Sequence, residues 1–271
     1  MLKAFAAAPA NQLPPDLAQT GRPSPAEAQK IIEQFQQAGI AGEYYLEFDL
    51  RVLPRRREEH TLHGKLWGGR NDQGAITRIS VLDASGKESR FLLQNGARAA
   101  MWSFVDGRLG QPAAEAWFEP LVAGVEIAPF DLQMPFFYWS DFTVENLVRV
   151  SGRPTQVFLF RPPVSFAKQH AAISGVRAYL DTQYNAPVQT ELIGAAGRVV
   201  KTLSLIEIKR VGNQPIPRTI DVRNDTTRDK TRFQVTAAAL ALELPETVFQ
   251  PAALATEIKS PAPERIVRFD P

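Results

Sequence analysis

The sequence predicts a mainly β protein in which a strongly curved antiparallel sheet forms an incomplete β-barrel. Apolar and polar residues alternate from Tyr44 to Arg51, and similar period-two runs continue to about residue 240. Turn sequences such as Asp106-Gly107 separate the runs, and short connections join antiparallel neighbours. The runs recur about every ten to twelve residues, which is typical of a meander that curls into a barrel.

A helix is predicted ahead of the strands. Ser24-Pro25-Ala26-Glu27 forms a capping box, in which serine and glutamate side chains satisfy backbone donors and proline occupies the first helical position. The helix is expected to end near Gly39. Ile31 and Phe35 share one of its faces, which is expected to pack on the sheet.

Most of the remaining chain alternates between strand and turn patterns. In the first half, the turn at residues 83–87 joins two strands into a hairpin. The other predicted strands occupy residues 99–105, 148–150, 157–160, 176–184, 187–193, 199–209, 216–223 and 231–237. The last stretch, from residue 240, contains four prolines and predicts a short anchored turn around Phe249 and Leu254.

Residues 111–147 break this pattern. Five aromatic residues occur between Pro129 and Trp139, and the prolines argue against a central strand or a long helix. Residues 140–147 then predict a short helix capped by Asp141. The aromatic stretch 130–142 has two readings: a buried plug that closes the end of a barrel, or a mobile apolar lid over a cavity.

The predicted ligand-binding positions are the large apolar residues of this region and its neighbours. Aromatic and methionine side chains offer large apolar area with few polar demands. The set is Trp102, Trp117, Phe118, Phe130, Leu132, Met134, Phe136, Phe137, Tyr138, Trp139 and Phe142.

Composition excludes several kinds of chemistry. The 271 residues include no cysteine, which rules out disulfides, thiol catalysis and cysteine-ligated metals. The net charge is +2, and the one dense basic run, Arg55-Arg56-Arg57, is followed at once by Glu58-Glu59. Nucleic-acid binding needs basic residues clustered on one face, so it is not expected.

The remaining candidate motifs do not predict a catalytic, metal or cofactor site. His60 and His63 are three residues apart in a strand and point to opposite faces. The glycines from Gly68 to Gly74 lack the following Lys-Ser/Thr of a phosphate loop. Asp131, Asp141 and Glu145 could supply paired carboxylates, although a cap role is simpler for Asp141. We therefore expect no enzyme activity, no cofactor and no metal.

Three regions are predicted along the chain. Residues 1–23 form a flexible leader, 24–255 a single half-barrel domain and 256–271 an irregular tail. Residues 1–10 resemble the remnant of a secretory signal, although the apolar part is short. This leaves two readings, an exported protein with a trimmed signal or a cytosolic protein with a mobile start, and the first is favoured.

Three stretches resemble the LolA-like superfamily of outer-membrane lipoprotein-sorting proteins. Residues 136–147 contain Ser140-Asp141-Phe142 followed by a hydroxyl and an acidic residue. Residues 178–188 form a strand ending in Asp181, with a short turn to the next strand. Residues 197–231 reproduce a pattern of glycine, Lys-Thr-Leu, proline and asparagine.

The resemblance covers about residues 128–255, and the first half agrees only in the order of a helix followed by strands. Aromatic residues at 135–139 replace the family's Leu-Pro run and arginine pair. The resemblance implies a curved antiparallel barrel with helices over its open side. It also implies an apolar cavity that shelters acyl chains of lipids or lipoproteins in the periplasm, loaded or unloaded by a membrane protein. A monomer is favoured.

The alternative is a non-catalytic envelope sensor or assembly module with the same fold and a plugged barrel. In that reading the aromatic stretch is fixed, and a strand edge or the rim recruits a protein partner.

Overall fold

The computed structural model describes residues 22–181 and 186–270. Residues 1–21 of the predicted leader, 1–23, therefore lie outside the described residues. The chain begins with helix α1 (Pro25–Gln37), whose capping box at Ser24 and Glu27 is confirmed. A first meander follows, made of β1 (Glu43–Leu53), β2 (His60–Asn71), β3 (Gly74–Leu82), β4 (Glu88–Gln94), β5 (Ala100–Val105) and β6 (Arg108–Gly110).

The second meander begins after a connecting segment, residues 111–141, which contains the short helix α2 (Pro129–Gln133). Its elements are β7 (Phe142–Val150), β8 (Arg153–Phe160), helix α3 (Val164–Gln169), β9 (Ile173–Asp181), β10 (Ala186–Gly194), β11 (Val199–Val211), β12 (Gln214–Asn224) and β13 (Lys230–Leu242). A last short strand, β14 (Val267–Arg268), pairs with β13.

The strands in the described residues belong to one antiparallel sheet, and all except β14 follow the order β6-β5-β4-β3-β2-β1-β13-β12-β11-β10-β9-β8-β7. Strands β1 and β13 pair in the middle of the sheet. The first strand of the first meander therefore lies beside the last strand of the second meander. The free edges are β6 and β7, which are consecutive in sequence. The predicted curved antiparallel sheet that does not close into a barrel is confirmed.

One face of the sheet, here called the inner face, carries most of the core. On β1, Leu46, Phe48 and Leu50 point to this face, while Glu47 and Asp49 point to the other, as the alternation predicts. Cross-strand pairing continues the inner face from Leu203 on β11 to Phe158 on β8. The inner face therefore extends across both meanders, and α1 packs on its second half.

Two glycines on β2 let aromatic rings lie flat across the strand. Gly64 pairs with Phe48, and a Cβ atom on Gly64 would lie 2.2 Å from Cζ of that ring. Gly68 pairs with Tyr44, and the corresponding distance to Cζ of Tyr44 would be 2.0 Å. Both distances are impossible for a real Cβ, so these positions require glycine because of a close approach.

The C-terminal segment covers the outer face. Its 3₁₀ turns, Glu246–Phe249 and Pro251–Ala255, place Val248 and Leu254 against β2, β3 and β4. The guanidinium of Arg78, 1 % exposed, donates hydrogen bonds to the carbonyl oxygens of Ala253 (2.9 Å) and Thr256 (2.5 Å). The structure thus contains the anchored turn predicted around Phe249 and Leu254.

Two sequence expectations differ from the structure. The short helix predicted for residues 140–147 is wrong, because Phe142–Val150 is strand β7. Its β-branched Thr143, Val144, Val148 and Val150 favour a strand, and pairing with β8 outweighs the cap signal at Asp141. The tail 256–271 is not wholly irregular, since it contains a 3₁₀ turn, Pro263–Arg265, and strand β14.

Candidate functional site

The connecting segment, residues 111–141, leaves one free edge of the sheet and enters the other. It contains a 3₁₀ turn at Ala114–Trp117, then α2, then a second 3₁₀ turn at Pro135–Tyr138. Met134 joins the last two with a left-handed backbone (φ 47°), an uncommon conformation for a residue with a side chain. This abrupt change of direction places the flanking aromatic residues on the inner face.

Aromatic rings from five parts of the chain meet there, and we call them the aromatic cluster. The segment supplies Phe118, Phe130, Phe136, Phe137 and Trp139, and other elements supply Phe35 of α1, Phe142 of β7, Phe158 and Phe160 of β8 and Phe166 of α3. Neighbouring ring centroids lie 4.1 Å (Phe35–Phe137) to 6.4 Å apart. Contacts in this range contribute about 0.5–1.5 kcal/mol each beyond the burial of area.

Most of the predicted ligand-binding residues come together in or beside this cluster. Seven of them belong to it or pack on it: Phe118, Phe130, Phe136, Phe137, Tyr138, Trp139 and Phe142. Met134 touches both the cluster and the core of the first meander, on which Trp117 and Leu132 also pack. Trp102 lies apart from the other ten, on the outer face beside Leu92 and Leu254.

Several cluster residues escaped the sequence reasoning. Phe158 and Phe160 are two apart in a predicted strand, so period two alone places both rings on one face. Phe166 and His170 belong to α3 and its C-terminal end, a helix that follows Pro162-Pro163 and is too short to show periodicity. Their ring centroids are 4.4 Å apart. Phe35 was assigned to the packed face of α1 but not to a site.

Polar contacts join the segment to β4, β5, β11 and α1. The Nζ of Lys201, on β11, lies 2.9 Å from Oδ2 of Asp131, which also accepts the N–H of Ala128. The Nε2 of Gln133 donates to the carbonyl oxygens of Gln94 and Ala100, at 2.9 Å each. From α1, Nε2 of Gln36 donates to the carbonyl oxygen of Phe137 at 2.7 Å. The segment is thus fastened to both meanders and to α1.

The three carboxylates considered for acid–base chemistry each meet a different cation. Asp131 binds Lys201, as above. Asp141 is exposed and lies 3.2 Å from Nη1 of Arg161. Glu145 lies 2.6 Å from Nε of Arg177, which also binds Glu191. Side-chain hydrogen bonding to Glu145 is the main cause that raises the pKa of Arg177. Each of the three carboxylates is therefore paired with a lysine or arginine cation.

The two histidines of β2 lie on opposite faces, as predicted. His60 lies near Gly124 of the connecting segment, whereas Nδ1 of His63 lies 2.7 Å from Oδ1 of Asp49 on the outer face. Within residues 22–181 and 186–270, no group of three or more histidine, aspartate or glutamate side chains is placed to hold a metal ion. In the same part of the chain, none of the helices has the length and apolar character needed to cross a membrane.

Comparison with solved structures places this architecture among known folds. A putatively assigned outer-membrane lipoprotein-sorting domain from Vibrio parahaemolyticus superposes with a TM-score of 0.73 at 16% identity, covering 85% of this chain and 99% of that one. The chain has a LolA-like fold. A LolA superfamily protein from Nitrosomonas europaea shares the LolA-like fold with a TM-score of 0.63 at 14% identity, over 82% of this chain and 97% of that one.

A DUF1329 family protein from Desulfovibrio piger has the same LolA-like fold, with a TM-score of 0.71 at 13% identity, over 84% of this chain and 98% of that one. A family model described as an uncharacterized protein matches residues 144–256. No curated protein matches the sequence. The family match begins within β7, so the aromatic residues of the connecting segment lie outside it.

Proposed function

We propose that this protein is a non-catalytic periplasmic carrier that shelters acyl chains of lipids or lipoproteins beneath its connecting segment. One observation carries the proposal. The segment that spans the two free edges of the sheet presents a continuous aromatic surface to the inner face, and a small number of polar contacts fasten it. Such a segment can move outward as a unit and leave an apolar trough behind.

The energetics favour exchange of rings for an acyl chain. Each buried methylene contributes about 0.8 kcal/mol, so a chain that replaces displaced rings restores the apolar contacts they made. The residues proposed to contact it are Trp117, Phe118, Phe130, Leu132, Met134, Phe136, Phe137, Tyr138, Trp139 and Phe142. Trp102 is left out because it faces the C-terminal segment on the outer face.

The proposed compartment and partners follow from this cargo. An acyl chain exposed to water needs shelter between two membranes, and the domain from Vibrio parahaemolyticus is assigned to outer-membrane lipoprotein sorting. A membrane protein would then supply the cargo or receive it.

Native mass spectrometry of protein purified from a lipid-containing bacterial host tests the proposal directly. We expect adducts with lipid masses, and uptake of a fluorescent acyl probe by delipidated protein. Phe136→Ala, which removes a buried ring of the cluster, should alter probe affinity several-fold, whereas Phe104→Ala on the outer face should not. Protein free of lipid in repeated preparations, together with no probe uptake, would refute the carrier role.

The packing of the cluster favours a second candidate, the sensor or assembly module. Phe130, Phe136 and Phe137 are each 2 % exposed, so the segment fills the inner face as a plug would. The free edge strand β7 then offers backbone groups and the exposed Leu147 to an added strand. In this case hydrogen exchange in residues 129–139 should be as slow as in β1, with or without acyl probe.

A further inference from the structure

A cavity of about 290 Å³ lies where the two meanders face each other across the opening of the sheet. The start of β5 and the 3₁₀ turn Ala114–Trp117 form one wall, and α3 forms the other. Trp117 and Phe166 both line it and contact each other, with ring centroids 6.4 Å apart. Phe166 also lies 5.0 Å from Trp139, so the inner wall of the cavity is continuous with the aromatic cluster.

The lining has an unusual chemical character for a surface cavity: it combines apolar and hydrogen-bonding groups without charge. The residues that line it are Ala99, Ala100, Met101, Gln111, Pro112, Ala114, Trp117, Ser165, Phe166, Gln169 and His170. No aspartate, glutamate, lysine or arginine is among these described residues. Two amides, a hydroxyl and an imidazole supply the polar groups.

The imidazole of His170 does not introduce a positive charge at neutral pH. Its side chain is buried between Phe118 and Phe166, and burial lowers its pKa. The carboxylate of Glu115, close enough to act on His170, opposes that shift and is itself an anion. Lys168 lies on α3 but does not line the cavity. The electrostatic environment is therefore neutral to slightly negative.

A ligand's own charge decides whether it can enter such a cavity. An ionised carboxylate or phosphate would lose water and meet no cation in return, which costs several kcal/mol unless it is compensated. A neutral ester or amide carbonyl needs only one donor, and a glutamine amide or the serine hydroxyl can provide it. The volume is at the low end for ligand sites, which run from about 300 Å³ upward, so it suits one end of a ligand.

We propose that this cavity binds the uncharged ester or amide end of an acyl chain whose apolar part enters the aromatic cluster. The protein then selects esterified or amide-linked chains, as in acylglycerols and acylated lipoproteins, over free fatty-acid anions. This inference rests on the carrier function proposed above and specifies the class of cargo.

Competition binding with delipidated full-length protein tests the selection. A bound fluorescent acylglycerol is displaced by monolauroyl glycerol in one experiment and by laurate in the other. The two competitors have equal acyl length, and the pH is about 8, where laurate is ionised. We expect monolauroyl glycerol to bind at least about tenfold more tightly than laurate. A tenfold difference in affinity corresponds to only a small part of the free energy needed to remove water from an ionised carboxylate. Equal affinity of the two ligands overturns the inference and leaves the carrier function standing. If the fluorescent acylglycerol itself does not bind, both the inference and the carrier function are overturned.

Two further variants locate the selection in this cavity. Ala114→Trp fills it and should weaken monolauroyl glycerol roughly tenfold, whereas the adjacent and exposed Ala113→Trp, outside the lining, should not. Gln169→Lys places a cation at the rim and should tighten laurate roughly threefold to tenfold without tightening the glycerol ester. An Ala114→Trp protein with unchanged affinity, or a Gln169→Lys protein with unchanged preference, would show that the ester end binds elsewhere.

Discussion

Lys201 and Asp131 form a largely buried ion pair, with 2.9 Å between Nζ and Oδ2, that joins strand β11 to the helix at the centre of the connecting segment. Lys201 lies on the inner face of the second meander, on the same face of the sheet as Leu203 and next to Leu192 on β10. The aspartate lies within the connecting segment, whose other buried contacts with the sheet include hydrogen bonds from the uncharged amide of Gln133. This largely buried pair therefore attaches the middle of the segment to the sheet, whereas the exposed Asp141–Arg161 pair lies at the end of the segment.

Removal of the lysine charge should destabilise the protein. Lys201→Met leaves Asp131 buried without its cation, and we expect a loss of about 2–4 kcal/mol in the free energy of unfolding. The double variant Lys201→Met/Asp131→Asn should recover part of this loss, because no charge is then stranded. Urea denaturation of the wild type, both single variants and the double variant measures the coupling. Strict additivity of the two single losses would contradict the pairing.

Gly64 should resist even the smallest enlargement. Gly64→Ala forces the Phe48 ring out of its place across β2, where it also stacks on Phe233 at 4.5 Å, and should cost about 1–3 kcal/mol. Gly110→Ala is the matched control, because no atom lies within 4 Å of the added Cβ and its backbone is not left-handed. Its effect should stay within about 0.5 kcal/mol. Similar thermal midpoints for both variants would argue against the ring placement.

Alkaline pH should weaken the fold through Tyr45. Burial raises the pKa of Tyr45 to about 12, and its hydroxyl contacts Ser260 at 2.9 Å. In the unfolded chain the pKa is about 10, so the unfolded state loses its proton first as pH rises. The stabilisation is complete below about pH 10 and disappears towards pH 12, at up to roughly 1 kcal/mol per pH unit. Tyr45→Phe should flatten this decline between pH 10 and 11, as seen by chemical denaturation, and parallel declines would refute the assignment.

Arg78 should control the attachment of the C-terminal segment. Its guanidinium donates to carbonyl oxygens of both turns, Val248 in the first and Ala253 and Thr256 in and after the second. Burial lowers its pKa to about 10, which leaves it charged at neutral pH. Arg78→Met should cost about 2–4 kcal/mol and speed hydrogen exchange in residues 246–256. Arg57→Met, at an exposed loop position, is the control. Unchanged exchange in that segment would mean that Val248 and Leu254 hold it without the arginine.

Local patterns predicted much of this fold because they reflect local physics. The alternation around Phe48 identifies the inner and outer faces of β1, and the capping box identifies the start of α1. The pairing of β1 with β13 could not be predicted in this way. It depends on which distant edges meet, and period two is equally compatible with other partners.

Local patterns also predicted part of the site, whereas the part that depends on distant elements could not be predicted. The aromatic density of residues 130–142 marks the segment, but the positions that complete the cluster come from α1, β8 and α3. Trp102 shows the limit of composition. Trp102 was assigned to the cavity because it is a large apolar residue. Its neighbour Met101 faces the inner core, and successive residues of a strand point to opposite faces, so Trp102 lies on the outer face. A register argument within β5 would have separated them.

The central pairing of β1 and β13 has a kinetic consequence. Every other neighbouring pair in the main order of the sheet joins strands that follow one another in the chain, so each meander can assemble from hairpins. The β1–β13 pair instead closes a loop that contains nearly the whole domain, and such closure costs entropy before any contact is gained. High contact order slows folding. We therefore expect two half-sheets to form early, and the union of the two chain ends to limit the rate at which the native protein appears.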